Sequence, residues 1–164
     1  MSGTMDTTTR RWGRGLLAVG RLGSALHRGL YRASGGKVGG VVRGVPVALL
    51  TTRGRKSGRV YTWPVCYLAE GDNLLLIASA GGMPQHPAWY HNLRADPNVT
   101  IQVAGRSRAM VAEPQSGAER TRHWARIVRE HPLFADYQRK VTREIPVVLL
   151  RPAPAAGMER GAAS

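Results

Sequence analysis

Residues 45–79 read VPVALLTTRGRKSGRVYTWPVCYLAEGDNLLLIAS, and they set the architecture of the chain. Residues 45–52 form a short apolar run typical of a buried strand, and residues 60–69 are rich in β-branched and aromatic side chains. The turn EGDN at residues 70–73 separates this second run from residues 74–79, which predicts a hairpin. The stretch therefore predicts three consecutive strands joined by short connections.

The chain beyond this stretch adds helices and further strands. Pro87 can open a short helix, and Ser116 with Glu119 matches a capping box that would start a longer one. The predicted elements are helices at 87–95, 116–130 and 134–141, a hairpin at 99–103 and 107–113, and a last strand at 145–150. Because hairpins join most of the strands, we predict an α+β fold. Its mainly antiparallel sheet of six strands can close into a small barrel with helices at the rim.

The charge balance is strongly basic. The 164 residues include 24 Lys and Arg against 10 Asp and Glu, a formal net charge of +14. Such a surplus favours an anionic partner: a phosphorylated cofactor, an acidic lipid surface or nucleic acid. No nucleic-acid-binding motif is recognisable, and the basic residues gather in an N-terminal arm and one loop, so we expect no specific nucleic-acid binding. The single cysteine, Cys66, makes no internal disulfide, which is compatible with a cytoplasmic protein.

Residues 10–33 form a basic arm with an apolar stripe. Leu22, Leu26 and Leu30 recur at helical spacing among arginines, which predicts an amphipathic helix. Three interpretations stay open: the helix packs on the domain core, lies on an anionic membrane surface, or is a secretion signal. Against the third, Arg21 interrupts the apolar part.

Composition divides the chain into five segments. Glycines concentrate between the arm and the first strand, and small residues and prolines follow the last strand. The predicted segments are 1–9 disordered, 10–33 basic amphipathic helix, 34–44 Gly-rich linker, 45–151 barrel domain and 152–164 disordered tail.

Residues 51–59, TTRGRKSGR, join the first two predicted strands. Glycine lets the backbone turn tightly and expose its N–H groups, and the basic and hydroxyl side chains add donors for an anion. The loop is not a Walker A loop, because it has no Gly-Lys-Ser/Thr run. It predicts a phosphate-binding loop, with an exposed, solvated hairpin loop as the alternative.

Residues 79–93, SAGGMPQHPAWYHNL, run from a strand end through a Gly-Gly turn into a helix start. Helix N-termini attract anions, and Trp89 and Tyr90 can wall an aromatic ring. His86 and His91 have no nearby carboxylate or cysteine to complete a metal site, so we expect capping or packing roles and no metal. Spacing supports no nucleophile–base arrangement, and we expect Cys66, inside a strand, to be core or pocket wall.

These residues also resemble a known family. The matching pieces occur in order from about residue 45 to residue 150, and the ordered set is more specific than any one piece. They are TT-x-GRKSG at 51–58, S-x-GG at 79–82, HPAWYHNL at 86–93, DPNV at 96–99, DYQ at 136–138 and T-x-x-IPV at 142–147. The set is similar to the deazaflavin-dependent nitroreductases of actinobacteria. The resemblance implies an FMN-binding split-barrel-like fold that binds coenzyme F-420, which has a flavin-like ring, a phosphodiester and an oligoglutamate tail.

The resemblance also implies where the cofactor and the acceptor would bind. The implied cofactor residues are Arg55, Lys56, Ser57 and Arg59 for the phosphate and tail, Tyr61, Thr62, Trp63, Pro64 and Val65 along the ring, and Ala78, Ser79, Ala88, Trp89, Tyr90 and Asn92 as the opposite wall. Ser79 and Tyr137 are predicted to donate hydrogen bonds to the acceptor. The family usually has Lys where this chain has Ala80 and often Arg where it has Tyr61, and Arg53 and Arg59 supply charge nearby.

On this basis we predict an oxidoreductase that transfers a hydride from reduced coenzyme F-420 to a quinone, a nitroaromatic or a conjugated enone. The cofactor would carry the chemistry, and the protein would position and desolvate the reactants. Two alternatives stay open: an FMN-binding split-barrel protein, and a non-catalytic basic module at a membrane surface. We expect a monomer or weak homodimer in the cytoplasm, peripheral on the inner face of the plasma membrane if residues 10–33 bind anionic lipid.

Overall fold

The structure is a computed structural model that describes residues 40–155. The predictions for residues 1–9 and 10–33 lie outside the described residues, as do residues 34–39 of the predicted linker and residues 156–164 of the predicted tail. The described part begins one residue before the first strand and ends three residues after the last.

Seven strands form one antiparallel sheet that closes on itself. They are β1 (Val41–Val42), β2 (Val45–Arg53), β3 (Val60–Glu70), β4 (Asn73–Ile77), β5 (Asn98–Val103), β6 (Arg106–Pro114) and β7 (Val147–Pro152). The order is β1-β2-β3-β4-β7-β6-β5, and an additional pairing of β2 with β5 closes β2 to β7 into a six-stranded barrel. The predicted α+β fold with a mainly antiparallel barrel is confirmed.

Strand β2 closes the barrel because it pairs on both edges. Leu50 lies opposite Trp63 of β3 on one side and opposite Ile101 of β5 on the other. Side chains alternate across a strand, so Ala48 and Leu50 point to one face together with their cross-strand partners. Leu50 and Ile101 are fully buried in the cluster that fills the barrel.

Three helices complete the described fold: α1 (Ala88–Ala95), α2 (Gly117–Glu130) and α3 (Leu133–Arg139). Helix α1 inserts Trp89 and Leu93 into the barrel cluster. Helices α2 and α3 instead pack on the opposite face of the sheet, where Ile127 and Phe134 meet Leu75 in a second buried cluster. The barrel thus has one core inside and one outside, which explains why β4 is apolar at successive positions.

The structure corrects three details of the sequence prediction. Strand β4 ends at Ile77 rather than at Ser79, because the chain turns there into a short 3-10 turn over Ala80–Gly82. Strand β7 begins at Val147 rather than at residue 145, because Ile145 N–H donates to the Gln138 side chain, 2.9 Å away, and not to a neighbouring strand.

The predicted capping box is the third corrected detail. Ser116 precedes α2 but makes no side-chain capping hydrogen bond. Glu119, its predicted partner, lies 2.7 Å from Arg122 and forms an ion pair there. The helix therefore begins where the pattern predicts, but an exposed ion pair has replaced the reciprocal cap. Within residues 40–155, no helix is long and apolar enough to cross a membrane.

Candidate active site

The loop between β2 and β3 is folded tightly by its own hydrogen bonds. Gly54 N–H donates to Arg59 O at 2.7 Å, and Gly58 N–H donates to Gly54 O at 2.8 Å. Ser57 Oγ and Tyr61 OH share a hydrogen bond of 3.1 Å, and Arg59 N–H donates to the same Ser57 oxygen at 3.3 Å. The loop is thus organised before any ligand binds, which lowers the entropy cost of binding one.

Gly54 is required at the narrow point of this loop. A Cβ at this position would lie 2.7 Å from both Ser57 Oγ and a ring carbon of Tyr61. Either contact is shorter than carbon and oxygen atoms tolerate, so a larger residue would displace the ring of Tyr61. The glycine therefore serves close packing within the loop.

The cationic side chains of the loop remain available. Arg55, Lys56 and Arg59 are exposed, and within residues 40–155 their side chains make no hydrogen bond or ion pair. Arg53, by contrast, donates to Gly58 O at 3.1 Å and lies 3.9 Å from Asp96. Three uncommitted cations on a rigid loop suit a phosphate and a chain of carboxylates.

Asn92 joins the loop to α1. This side chain is 5% exposed, and its Nδ2 donates to Thr52 Oγ1 at 3.2 Å. Its Oδ1 accepts from Arg55 N–H, also at 3.2 Å. The sequence resemblance predicted Asn92 as part of the wall around a ring. In the structure its side chain fixes the loop to helix α1.

Strand β3 divides the predicted ring-lining residues between two faces. Trp63 packs on the cluster inside the barrel, and Val65 belongs to it. Thr62 lies on the other face, where its hydroxyl is 3.0 Å from that of Thr51, and Pro64 shares that face by alternation. Tyr61 continues the row of Trp63, with ring centroids 6.2 Å apart. One flat ring cannot meet all five side chains on one side of the sheet.

A buried donor lies in the row of Trp63. The indole Nε1 of Trp63 is buried, and no atom of residues 40–155 forms a hydrogen bond with it. Burying an N–H group without a partner is unfavourable, so such a group is a candidate contact for a ligand with an acceptor atom. The sequence singled out Trp63 but not its unpaired donor, which only the folded structure reveals.

The opposite wall is built by the segment after β4 and by α1. Ala78 and Trp89 are buried in the barrel cluster, and Tyr90 packs against it. Ser79 is 7% exposed and precedes the Gly-Gly turn, while Ala88 is exposed at the start of α1.

Tyr137 on α3 packs against that turn. A Cβ at Gly82 would lie 3.3 Å from Tyr137 Cδ1, so the glycine permits a close approach of turn and ring. The phenol oxygen accepts a hydrogen bond of 3.3 Å from Arg43 Nη1, and Lys140 Nζ lies 5.7 Å from the ring centroid. Ser79 and Tyr137, the two residues predicted to contact the acceptor, therefore lie on neighbouring parts of the structure, the Gly-Gly turn and α3.

Arg143 is a residue that the sequence analysis missed. It lies between α3 and β7, and its guanidinium donates to three carbonyl oxygens and one imidazole of the segment from Ala78 to His86. The available signal is its place inside the T-x-x-IPV motif, at a position that the motif leaves open. Contacts across about sixty positions of sequence leave no trace in local periodicity.

The two histidines near α1 are held neutral. Burial lowers the pKa of His86, and the nearby positive charges of Arg143, His91 and Arg94 lower it further. Burial also lowers the pKa of His91, as do Arg55 and Arg94. Their rings meet edge to face, with centroids 5.7 Å apart. Neither histidine therefore adds charge to the anion-binding loop at neutral pH.

Other chemistry has little support from this part of the chain. Within residues 40–155, no three His, Cys, Asp or Glu side chains cluster closely enough to hold a metal ion. Burial raises the pKa of the Cys66 thiol to about 11, and the side chain packs on the outer core. Cys66 is thus a protonated packing residue rather than a nucleophile.

Two cavities of the described part lie away from the predicted residues. One, of about 310 Å³, runs along β2, β5 and β6 beside Arg53 and Asp96. The other, of about 280 Å³, lies between Arg120, Trp124 and Gln138. Neither is lined by a residue predicted to bind the cofactor or the acceptor.

Comparison with known proteins agrees with this arrangement. Residues 24–152 match the family model described as F420H(2)-dependent quinone reductase. The F420H(2)-dependent quinone reductase Rv1261c of Mycobacterium tuberculosis is 38% identical over 130 residues, which cover 76% of this chain and 87% of that protein. The nitroreductase activity implied by the resemblance is not part of either description.

Solved structures support the same grouping. The structure of an F420-H2 dependent reductase, FDR-A, is 36% identical and covers 65% of this chain and 94% of its own, with a TM-score of 0.59. A structure described as a domain-swapped dimer is 31% identical and covers 88% of this chain and 100% of its own, with a TM-score of 0.61. The split-barrel fold implied by the sequence resemblance is therefore confirmed.

Proposed function

This chain belongs to the F420H(2)-dependent quinone reductase family, and from that premise we propose that it reduces a quinone to the hydroquinone with reduced coenzyme F-420. The family makes the protein an oxidoreductase and reduced coenzyme F-420 its cofactor. FMN becomes a minor alternative, and a purely non-catalytic role is set aside. The observation that carries the proposal is a rigid loop of uncommitted cations fixed by Asn92 to the helix that bears Trp89 and Tyr90.

The residues present fit this cofactor on chemical grounds. Arg55, Lys56 and Arg59 offer charge to a phosphodiester and a polycarboxylate tail without breaking an existing ion pair in residues 40–155. Trp63 Nε1 is a buried donor with no partner in the described part of the chain, and it lies near the ring of Tyr61, which suits a flat heterocycle with acceptor atoms. A shorter ligand with a single phosphate would leave part of this cationic set unused, which favours the longer coenzyme over FMN.

The cofactor would supply the redox chemistry, since a reduced deazaflavin donates a hydride from C5 when bound. In the overall reaction the quinone gains one hydride and one proton, and the coenzyme loses the same. We assign Arg55, Lys56, Ser57 and Arg59 to the anionic part of the cofactor. On β3, only Tyr61, Trp63 and Val65 share one face, and they would line the ring together with the predicted residues of the turn after β4 and of α1. Thr62 and Pro64 lie on the other face of β3.

Ser79 and Tyr137 are assigned to the acceptor. Ser79 lies two residues after the end of β4 and directly before the Gly-Gly turn, and Tyr137 packs on that turn. Both can therefore meet a molecule placed over the turn. Each hydroxyl can donate to a quinone oxygen, which gains negative charge as the hydride arrives. Nitroaromatics and conjugated enones share such an oxygen and stay predictions as further acceptors.

The basic arm at residues 10–33 favours a lipophilic quinone as the acceptor. A basic amphipathic helix would hold a cytoplasmic enzyme at the inner face of the plasma membrane, where such quinones concentrate. Flotation with vesicles of phosphatidylcholine, with and without phosphatidylglycerol, tests this prediction. Binding only to the anionic vesicles supports it, and equal recovery with both contradicts it.

Assembly also stays a prediction. The neighbour described as a domain-swapped dimer adds a swapped homodimer to the expected monomer or weak homodimer. Light scattering across a range of protein concentrations separates these states, because only a weak homodimer dissociates on dilution.

The proposed reaction is tested by mixing the purified full chain with reduced coenzyme F-420 and a menaquinone analogue. We expect oxidation of the coenzyme and formation of hydroquinone in equal amounts. When reduced FMN replaces the coenzyme under exclusion of oxygen, we expect the protein to give no acceleration over the spontaneous rate. A rate equal to that without protein would overturn the proposal. Protein-dependent oxidation of reduced FMN, without oxidation of the reduced coenzyme, would support the FMN-binding alternative instead.

A further inference from the structure

The segment from Ala78 to His86 is tied down by a single side chain. Arg143 Nη2 donates to Ser79 O at 2.9 Å, Nη1 donates to Ala78 O at 3.3 Å, and Nε donates to Met83 O at 3.1 Å. Three carbonyl groups that leave the sheet at the end of β4 are thus satisfied by one guanidinium. Only arginine has the planar set of donors that such a span requires.

The fourth contact of Arg143 fixes the state of a histidine. Nη1 lies 3.0 Å from His86 Nδ1. A guanidinium donates only, so this nitrogen must accept, and the imidazole proton must be on Nε2. The ring also faces Tyr90, His91 and Arg94 of α1, and no acidic side chain of residues 40–155 is paired with it. Arg143 and α1 together therefore keep this ring uncharged.

Arg143 is itself fixed to the helix that carries Tyr137. The Gln138 side chain donates from Nε2 to Arg143 O at 2.8 Å and accepts from Ile145 N–H at 2.9 Å. Gln138 is the residue after Tyr137 on α3. A continuous hydrogen-bonded path thus runs from α3 through Arg143 to the backbone of Ser79.

We propose that Arg143 is a positioning residue that holds the turn carrying Ser79 in register with the helix carrying Tyr137. The inference rests on the proposed function, because the two hydroxyls matter only if both meet the acceptor. Without the guanidinium, three carbonyl oxygens lose their donor, and the turn is free to move away from the ring of Tyr137. A shift of this kind moves an acceptor relative to the hydride donor and slows transfer.

The test compares Arg143→Met and Arg143→Lys with a matched control, Arg151→Met. Arg151 is exposed, and its ion pair with Glu113 on β6 lies at the end of β7 away from the turn, since Val147 pairs with Ile77 and Leu150 with Leu74. Removing an exposed pair of this kind changes stability little. Each full-length variant is assayed with reduced coenzyme F-420 and a menaquinone analogue, and its melting temperature is measured.

A second readout needs no cofactor. Nitrogen-15 spectra of the histidine rings report which ring nitrogen carries the proton. In the wild type and in Arg151→Met, we expect His86 Nδ1 to be an unprotonated acceptor. In Arg143→Met, we expect the Nδ1 resonance to move towards that of a neutral imidazole without a hydrogen bond at Nδ1, because this nitrogen no longer faces a donor. A role in stability alone would lower the melting temperature without affecting the His86 signal of the folded protein.

We expect kcat of Arg143→Met to fall about 10- to 100-fold. KM for the coenzyme should change less than kcat, because the turn with Ala78 and Ser79 shifts while the cationic loop is untouched. Arg143→Lys keeps the charge but has one compact ammonium group, so it should recover only a small part of the rate.

A protonated Nδ1 in the wild type, or an Arg143→Met enzyme within twofold of the control, overturns the proposal. If Arg143→Met does not fold, the proposal is judged by the rate of Arg143→Lys relative to the control and by the wild-type spectrum of His86. If no protein oxidises the reduced coenzyme while His86 gives the expected spectrum, the proposed function and the positioning role both fail. The hydrogen bond from Arg143 to His86 then stands as a purely structural contact.

Discussion

Asn92 Nδ2 donates a hydrogen bond of 3.2 Å to Thr52 Oγ1 in the buried space between α1 and β2. The same amide accepts from Arg55 N–H, so a single side chain connects the end of one strand, the start of the cationic loop and the helix that carries the aromatic wall. The cationic loop and the aromatic wall, the two chemically different parts of the proposed cofactor site, are therefore held together by one side chain.

Replacing Asn92 should weaken both the fold and cofactor binding. Asn92→Ala leaves a buried hydroxyl and a backbone N–H without partners, which costs about 1–3 kcal/mol of unfolding free energy. The loop that carries Arg55 would also lose its anchor, so the Kd for the oxidised coenzyme should rise. Urea denaturation and a fluorescence titration measure the two effects.

Thr52→Val is the control for Asn92→Ala, because it removes the bond to Thr52 but keeps the one to Arg55. It should lower stability while affecting cofactor binding less than Asn92→Ala does. Equal coenzyme affinity in Asn92→Ala and the wild type would argue against the anchoring role.

Gly54→Ala should disturb the loop through a steric clash. The added methyl group would lie 2.7 Å from Ser57 Oγ and from the ring of Tyr61, so the ring must move. We expect a loss of about 1–3 kcal/mol of unfolding free energy, as is typical of overpacking. Denaturation by urea measures it, and Gly58→Ala is the comparison.

At Gly58 an added methyl group meets no atom within 4 Å, but the backbone has φ +68°. The cost there is conformational strain alone, about 1–2 kcal/mol. Coenzyme affinity separates the two variants better than stability does, because only Gly54→Ala moves Tyr61. Unchanged affinity in Gly54→Ala would show that Tyr61 is not part of the binding surface.

Stability should fall on acidification through His86. Burial, Arg143, His91 and Arg94 lower the pKa of His86, so the folded protein takes up a proton less readily than the unfolded chain, whose histidine titrates near 6.5. The stability that the neutral His86 ring contributes is fully present above the pKa of the unfolded chain, and it is lost as the pH falls through the lower pKa of the folded protein. We expect the melting temperature of the wild type to drop between pH 7.5 and pH 5.5.

His86→Asn is the control for the acidification experiment. Its amide oxygen can accept from Arg143 but does not titrate, so the drop in melting temperature between the two pH values should be smaller than in the wild type. His91 also has a lowered pKa and should account for part of the remaining drop. An identical drop in both proteins would mean that His86 does not titrate differently on folding.

Cys66 should react slowly with alkylating agents. Burial raises its pKa to about 11, so the thiolate that reacts is scarce at pH 8. Mass spectrometry after iodoacetamide treatment should show slow modification in native protein and fast modification in urea. Equal rates in the two conditions would contradict the buried position of this thiol.

Short apolar runs and stretches rich in β-branched and aromatic side chains, separated by turns, predicted most strands of the barrel, because such residues are favoured in strands. Helix α1 could be predicted from Pro87, which fixes the backbone before the first turn. Strand β7 was misplaced by two residues, because Ile145 is buried like a strand residue but bonds to a side chain. The burial of a residue does not show whether its backbone N–H donates to a neighbouring strand or to a side chain.

The candidate site was predictable in its parts but not in its connections. Composition identified the cations of residues 51–59 and the aromatic residues of α1, since each chemistry is carried by a local run. The bonds from Asn92 to Thr52 and from Arg143 to Ser79 join residues 40 and 64 positions apart. They exist only because the barrel closes, and closure depends on long-range strand pairing that local patterns do not encode.

The central claim is that the loop between β2 and β3 binds the anionic part of coenzyme F-420. The most direct measurement is a titration of oxidised coenzyme into the wild type, Arg55→Ala/Lys56→Ala and Arg106→Ala/Arg108→Ala. The last pair removes the same charge from exposed positions of β6.

We predict a Kd at least about 100-fold higher for the loop variant, since each charge-assisted contact is worth ~1.5–3 kcal/mol, and a Kd close to that of the wild type for the β6 variant. Equal affinity in the loop variant and the wild type, or an equal loss in both variants, would contradict the claim.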